Sequence, residues 1–469
     1  MSRSLTRVLA TPLLCGLALS GLAAPTGPTV KVETGALRGG TQDGVNAFKG
    51  IPFAAPPVGA WRWRAPQPAA AWTGVRQATA YAPDCMQKPF PSDAAPLGTT
   101  PAEDCLYANV WTPAKASTTP LPVMVWIYGG GFVNGGASPP TYAGTALARQ
   151  GIVVVSFNYR IGRFGTFAHP QLSQRDEDDG LLANYGFMDQ VAALRWVQRN
   201  VGAFGGDPGK VTIIGESAGG MSVHALLTSP MTQGLFQQAV IQSGGDGNSP
   251  TGDIDAAEQA GAAFARGKGI DNASPQAIQQ LRALPAEHVV DGLNLTSLFS
   301  PAPGAKTFSS PVIDGKLAVG GAAYAAGKFH HVPVMIGATS DDIGGRNGYM
   351  VAGARRAASV LADQDVPTWY YRFSYVAASM RTAETQGAGH ASDIPFFFDT
   401  VRDKYGAATT VQDAQAGKLA STYLVNFVKH GDPNGAGLTH WPRYGSDTLQ
   451  MLELNAEGKA VALRDPWAP

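Results

Sequence analysis

Charge is scarce in this chain of 469 residues: Asp, Glu, Lys and Arg make up 15%, against about 25% in an average soluble domain. The 35 basic and 35 acidic residues cancel, and no basic block concentrates the positive field that nucleic-acid binding draws on. Nucleic acid is therefore excluded as the main partner. Past the first two dozen residues no run approaches the ~20 apolar residues of a membrane span. Internal repeats and long linkers are also missing. Cysteine is down to three, at Cys15, Cys85 and Cys105, and the last two, with no histidine between them, lack a zinc ligand set. The adjacent pair His330-His331 reads as surface or strand-edge histidine. Gly205-Gly206-Asp207-Pro208-Gly209-Lys210 fails as a phosphate-binding loop, because G-x-x-x-x-G-K-[ST] needs glycine at Phe204 and Ser or Thr at Val211; it reads as a helix-to-strand turn. Apolar residues, by contrast, reach 44%, enough for a large core and too many for disorder.

The N-terminus stands apart. Arg3 and Arg7 form a positive region, Leu9 to Leu22 an apolar one, and Ala23-Ala24 a small-residue cleavage site, the pattern of a secretory signal over 1–24. Cys15 follows Leu14, where a lipidation site would want a small residue. Losing this segment removes two positive charges and no acids, leaving a net charge of −2. The expected product is a soluble chain, secreted or periplasmic. Its remaining pair, Cys85 and Cys105, suits an oxidising compartment. Bridging them would close a loop worth about 3 kcal/mol in the chain-entropy view.

The first stretch reads as short strands and a turn, Val30–Glu33, Thr34-Gly35 and Ala36–Arg38, followed by a Pro-rich irregular stretch from Ile51 to Pro68. Then the pattern changes. Val123–Tyr128, Ile152–Phe157, Val211–Ile214, Ala239–Ile241 and Val332–Ile336 are nearly continuous apolar runs, and Thr368–Tyr375 is more alternating. Short β-branched runs without polar alternation are strands covered on both faces. Helical spacing lies between them: Val191, Leu194, Val197 and Val201 place a helix over Asp189–Val201, with Asp189 at its N-terminus. The expected fold is α/β, with a mostly parallel sheet flanked by helices on both faces.

Gly215-Glu216-Ser217-Ala218-Gly219 sits between one of these strands and a helical pattern through Met221, His224, Leu226 and Leu227. That is G-x-S-x-G in strand–turn–helix context, which exposes a strained serine as nucleophile. Tyr128-Gly129-Gly130-Gly131-Phe132 follows another strand. Three glycines can aim backbone N–H groups into a cleft, and a tetrahedral oxyanion needs such donors together with the N–H after the nucleophile, here Ala218. The serine also needs a base. His390, in the small-residue loop Gly387-Ala388-Gly389-His390-Ala391, is favoured over His430 and His440, which read as turn histidines. The acid lies at Asp341 or Asp342, beyond the strand ending near Gly337, where open α/β sheets build their sites.

From about Phe48 onward the chain resembles the type-B carboxylesterases, a bacterial-type member of the α/β-hydrolase group that also holds cholinesterases, bile-salt lipases and neuroligin. The resemblance is carried by Phe48-Lys49-Gly50-Ile51-Pro52-Phe53, Pro56-Pro57-Val58-Gly59, Glu103-Asp104-Cys105-Leu106-Tyr107-Ala108-Asn109-Val110, the glycine triplet, Phe204–Pro208, Gly215–Gly220 and Gly387–His390. It implies an α/β-hydrolase domain over 25–469 with a small N-terminal antiparallel sheet. It further implies Ser217 as nucleophile, His390 as base, oxyanion donors at Gly130, Gly131 and Ala218, and a Cys85–Cys105 bridge, with no cofactor or metal. Relatives carry the acid five positions after the glycine ending its strand, which selects Asp342. The bridged loop is expected to be remote from the proton chain.

Three departures stand out. Tyr128 replaces the family's usual histidine, at the rim of the oxyanion loop. Aspartate replaces the commoner glutamate. The 48 positions from Asp342 to His390 are fewer than relatives have, so a helical excursion walling the pocket is shortened. The expected function is a serine carboxylesterase acting through an acyl-enzyme on a small-molecule ester, as a monomer. Its activity should fall on acidification as a histidine of ordinary pKa, ~6.5, protonates. A non-catalytic adhesion module and a lactonase or amidase are the alternatives. Choline esters are disfavoured: the resembling cholinesterases hold a quaternary ammonium on a tryptophan inside this loop, and here the loop from Cys85 to Cys105 has Phe90 but no tryptophan.

Overall fold

The computed structural model describes residues 27–300 and 303–468, so the expected signal segment lies outside the described residues. Eleven strands form one sheet: β1 (Gly40–Gln42), β2 (Val45–Pro52), β3 (Tyr107–Pro113), β4 (Leu121–Ile127), β5 (Val153–Phe157), β6 (Gly206–Glu216), β7 (Gln238–Gln242), β8 (Val334–Thr339), β9 (Thr368–Phe373), β10 (Gln450–Leu454) and β11 (Ala460–Arg464). Their order across the sheet is β11-β10-β9-β8-β7-β6-β4-β5-β3-β2-β1. The seven from β10 to β5 pair in parallel, and antiparallel pairs close both edges. A separate three-stranded sheet pairs the antiparallel hairpin Thr29–Val32 with Gly35–Arg38, joined in parallel by Val75–Gln77.

The apolar runs explain the layering. Val123, Val125, Ile127, Val153 and Val155 are fully buried, as strands covered on two faces must be. The cover comes from helices such as α1 (Tyr185–Asn200), α2 (Ala218–Thr228), α4 (Tyr349–Ala362) and α5 (Val411–His430); the short α3 (Leu295–Phe299) sits above the sheet's C-terminal edge, over Gly131.

Helix α1 begins at Tyr185, four residues before the expected start. Asp189 is not an N-terminal acid but a buried partner of Arg160, whose Nε and Nη2 donate to its two oxygens at 2.8 Å. The expected turn at Gly205–Lys210 is mostly strand, since only Gly205, in the left-handed region, lies before β6.

Candidate active site

Strand β6 ends at Glu216 and α2 begins at Ala218, so Ser217 alone turns the chain. Its φ of 57° and ψ of −123° lie outside the regions an L-residue ordinarily occupies. Such strain persists only where the surroundings over-determine it. Here a Cβ on Gly215 would strike the Gly219 carbonyl, and one on Gly219 the Ile127 carbonyl. Only glycines allow that approach, and the Ser217 N–H is held by Gln242 O at 2.9 Å.

Three strand ends then converge. The Ser217 Oγ lies 2.9 Å from His390 Nε2, and His390 Nδ1 lies 2.6 Å from Asp342 Oδ1. Asp342 is buried, its Oδ2 accepting from Ser243 Oγ at 2.6 Å and Thr339 Oγ1 at 2.8 Å. Asp341 is exposed, and its backbone N–H donates to Ala388 O at 2.8 Å. One aspartate thus faces the imidazole while its neighbour pins the histidine loop. His430 closes α5 and His440 lies in a later loop; neither makes a side-chain hydrogen bond among the described residues. His330 is tied to Ser229 O and Thr232 Oγ1 at 2.9 and 3.0 Å. No group of three or more His, Cys, Asp or Glu among the described residues is placed to hold a metal.

Two further carboxylates flank the imidazole. Glu216 Oε1 stands 3.3 Å from His390 Nε2, and Asp393 lies beneath, accepting from Gln242 Nε2 at 3.2 Å and Tyr371 Oη at 3.3 Å. Burial in low dielectric pushes them up, Glu216 to about 8 and Asp393 to about 7. Asp342 moves the other way: burial opposes its charge, but hydrogen bonds from His390, Ser243 and Thr339 outweigh it and hold the carboxyl below its usual range. For His390, burial disfavours the imidazolium, yet Glu216, Asp342 and Asp393 prevail and raise it to about 9. Where the sequence alone suggests an ordinary histidine, the buried carboxylates around His390 favour its charged form. Glu216 is the second residue of G-x-S-x-G, and a carboxylate inside that motif at a strand end was the available signal. Asp393, three positions after His390, gave none.

The glycine turn lies against this group. A Cβ on Gly129 would come within 2.9 Å of Ser217 Cβ. Gly130 and Gly131 take φ of 105° and 64°, a region L side chains rarely adopt, and the amides of Gly130, Gly131 and Ala218 donate to no other group among the described residues. A Cβ on Gly131 would meet Leu295 Cδ1 at 2.7 Å and Leu298 Cδ2 at 3.1 Å, both on α3. Tyr128 is not at the rim, as expected, but fully buried behind the turn. Its Oη donates to Tyr159 O at 2.9 Å, Tyr159 Oη donates to Tyr128 O at 2.8 Å, and the rings stack at 4.4 Å.

Cys85 and Cys105 are joined by a disulfide. The loop they bound makes no hydrogen bond to the proton chain among the described residues, but it is tied to the segment that follows the glycine turn. Asp84 accepts from Thr99 Oγ1 at 2.7 Å, from Ala137 N at 3.0 Å, and from the backbone and side chain of Ser138. Gln87 bonds both backbone groups of Gly135, at 2.6 and 2.9 Å. Sequence spacing gives no sign of either contact.

The sequence profile of the Carboxylesterase family matches residues 26–352 and 344–465, and the chain belongs to that family, with the α/β-hydrolase fold. It is a carboxylic ester hydrolase. It is 35% identical to the fumonisin B1 esterase of Sphingopyxis macrogoltabida, over 88% of this chain and 84% of that protein. It is 34% identical to the para-nitrobenzyl esterase of Bacillus subtilis, over 91% and 95%. A solved PNB esterase superposes with a TM-score of 0.81 at 32% identity, covering 94% of this chain and 98% of that one. The two profile matches meet at residues 344–352, inside the segment between Asp342 and His390.

Proposed function

We propose that this chain is an exported serine carboxylesterase with Ser217, His390 and Asp342 as its triad, and that it cleaves small-molecule carboxylic esters through an acyl-enzyme. The observation that carries this reading is the run of contacts Ser217 Oγ–His390 Nε2 at 2.9 Å and His390 Nδ1–Asp342 Oδ1 at 2.6 Å. Ser217 donates its proton to His390 as Oγ attacks the carbonyl carbon, while Asp342 fixes the tautomer and stabilises the imidazolium. The N–H groups of Gly130, Gly131 and Ala218 receive the oxyanion. Collapse breaks the ester C–O bond, and His390 returns the proton to the departing alcohol. Water, activated by the same imidazole, then hydrolyses the acyl-serine and restores Ser217. Leu295 and Leu298, packed over Gly131, give the substrate an apolar wall.

Export is supported by the sequence pattern over 1–24 and by the Cys85–Cys105 disulfide, a bond that persists in oxidising compartments. We read 25–469 as one domain, shortened between Asp342 and His390, where one helix and one strand, α4 and β9, carry the chain back. Among the described residues no helix is long and apolar enough to cross a membrane. The test is stoichiometric labelling by an organophosphate, lost in Ser217→Ala, combined with an acyl-length series of nitrophenyl esters. Labelling that persists in Ser217→Ala would remove Ser217 as nucleophile.

A further inference from the structure

Asn134 follows the glycine turn and is almost wholly buried. Every hydrogen-bonding group of its side chain is used, and each leads to a different segment. Its backbone N–H donates to Gly130 O at 3.0 Å. Its Nδ2 donates to Gln87 Oε1 and to Lys88 O, both at 3.0 Å, on the disulfide-bounded loop. Its Oδ1 accepts from Leu295 N at 2.7 Å, at the start of α3. Gln87 is equally committed, its Nε2 donating to Cys85 O at 2.9 Å and Gly135 O at 2.6 Å while its Oε1 also accepts from Gly135 N. The turn bearing Gly130 and Gly131 is thus joined by one buried amide pair to a disulfide-braced loop on one side and to the apolar wall on the other.

From this we infer that Asn134, acting with Gln87, is a positioning residue for the oxyanion hole: it sets where the Gly130 and Gly131 N–H groups point and how closely α3 approaches them. The inference rests on the oxyanion role proposed above for those glycines. Neither side chain touches the reacting atoms. A buried, fully satisfied polar network is rigid, and losing one member leaves the others unpaired. Glycines have no side chains with which to anchor themselves, so their orientation has to be supplied by neighbours. Preorganised donors lose effect when displaced, and a shift of about 1 Å can cost 10²-fold.

The experiment compares Asn134→Ala, Gln87→Met and the double variant with the parent in the full chain, using p-nitrophenyl acetate and an aryl trifluoromethyl ketone. The ketone forms a tetrahedral adduct on Ser217 whose oxygen needs the same donors. Each single variant is expected to lose about tenfold in kcat, to keep KM within about twofold, and to lose ketone affinity by the same factor as kcat. The double variant should be no worse than the poorer single, since both break one joint. The acid limb of the pH profile should stay in place, because His390 and its carboxylates are untouched. Parent-like kcat in Gln87→Met, or a fall in kcat with ketone affinity intact, overturns the inference. Gln87→Met decides alone if Asn134→Ala does not fold. Ser217→Ala runs alongside: turnover retained there sinks the triad itself, a result distinct from failure of the joint.

Discussion

Glu216 reaches His390 on the nitrogen that also contacts Ser217, its Oε1 standing 3.3 Å from Nε2. A base must be neutral to accept the serine proton, and the surrounding carboxylates favour the charged form, raising His390 to about 9. The acid limb of kcat/KM is therefore expected above the ~6.5 of an ordinary histidine. Glu216→Gln removes one of the carboxylates that raise it, so the limb should shift toward lower pH. A limb that stays put in Glu216→Gln would show that Glu216 carries no charge at His390.

Asp342 and Asp341 are adjacent yet face opposite ways, one buried on the imidazole and one exposed. Asp342→Asn should cost about 10⁴ in kcat, as loss of the orienting carboxylate does in serine hydrolases. Asp341→Asn should change kcat less than about tenfold, because its contact with the histidine loop is through the backbone. Comparing the two on one nitrophenyl ester checks the ranking, and the reverse order would move the acid.

Gly131 has two reasons to resist substitution: its φ of 64° and the 2.7 Å approach of Leu295 to any added Cβ. Gly131→Val is expected to cost about 10²–10³ in kcat through a displaced N–H. Unchanged turnover would place the oxyanion donors elsewhere.

Because Gln87 and Asp84 bond the backbone that follows the glycine turn, opening the Cys85–Cys105 disulfide should lower kcat as well as the melting temperature. Assay under a phosphine reductant, with thiols counted by titration, gives the result. Full activity with both thiols free would detach that loop from catalysis.

Asp465 holds two guanidiniums near the C-terminus, accepting from Arg372 at 2.6 Å and Arg355 at 3.1 Å. Burial alone would raise its pKa, but the hydrogen bond and charge of Arg372 outweigh that and lower it. Its stabilisation is thus present above the unfolded value of ~3.9 and lost as pH falls through the lower folded one. Asp465→Ala leaves buried cations unpaired and is expected to cost about 3–5 kcal/mol. Urea unfolding at neutral pH reads it, and a loss below ~1 kcal/mol would mean the guanidiniums find water.

The sequence made the central layer legible because its signals are local. Val123–Ile127 is apolar over its whole length and Val153–Phe157 is broken only by Ser156, and runs this short and this apolar are strands covered on both faces. The G-x-S-x-G turn was legible for the same reason, since backbone strain must be met by glycines next to it. What escaped depends on contacts between distant segments. Asp189 reads from its neighbours as an N-terminal acid, whereas its partner is Arg160, 29 positions away and on another segment. β11 at the sheet edge is mostly exposed, and polar residues such as Glu453 and Arg464 break up the apolar pattern of the hairpin it forms with β10. Glu216, Asp393 and the Asn134–Gln87 joint acquire their surroundings only when separate loops close on one another.

The Tyr128–Tyr159 pair carries a consequence for anyone redesigning the turn. Each phenol is the hydrogen-bond donor to the other's main chain, so the two positions form a reciprocal lock rather than two independent contacts. Exchanging Tyr128 alone for alanine would leave the Tyr159 carbonyl without its donor and its ring without a stacking face. Substitutions at 128 and 159 are therefore expected to couple, and a double-mutant cycle read by melting temperature would show it as non-additivity.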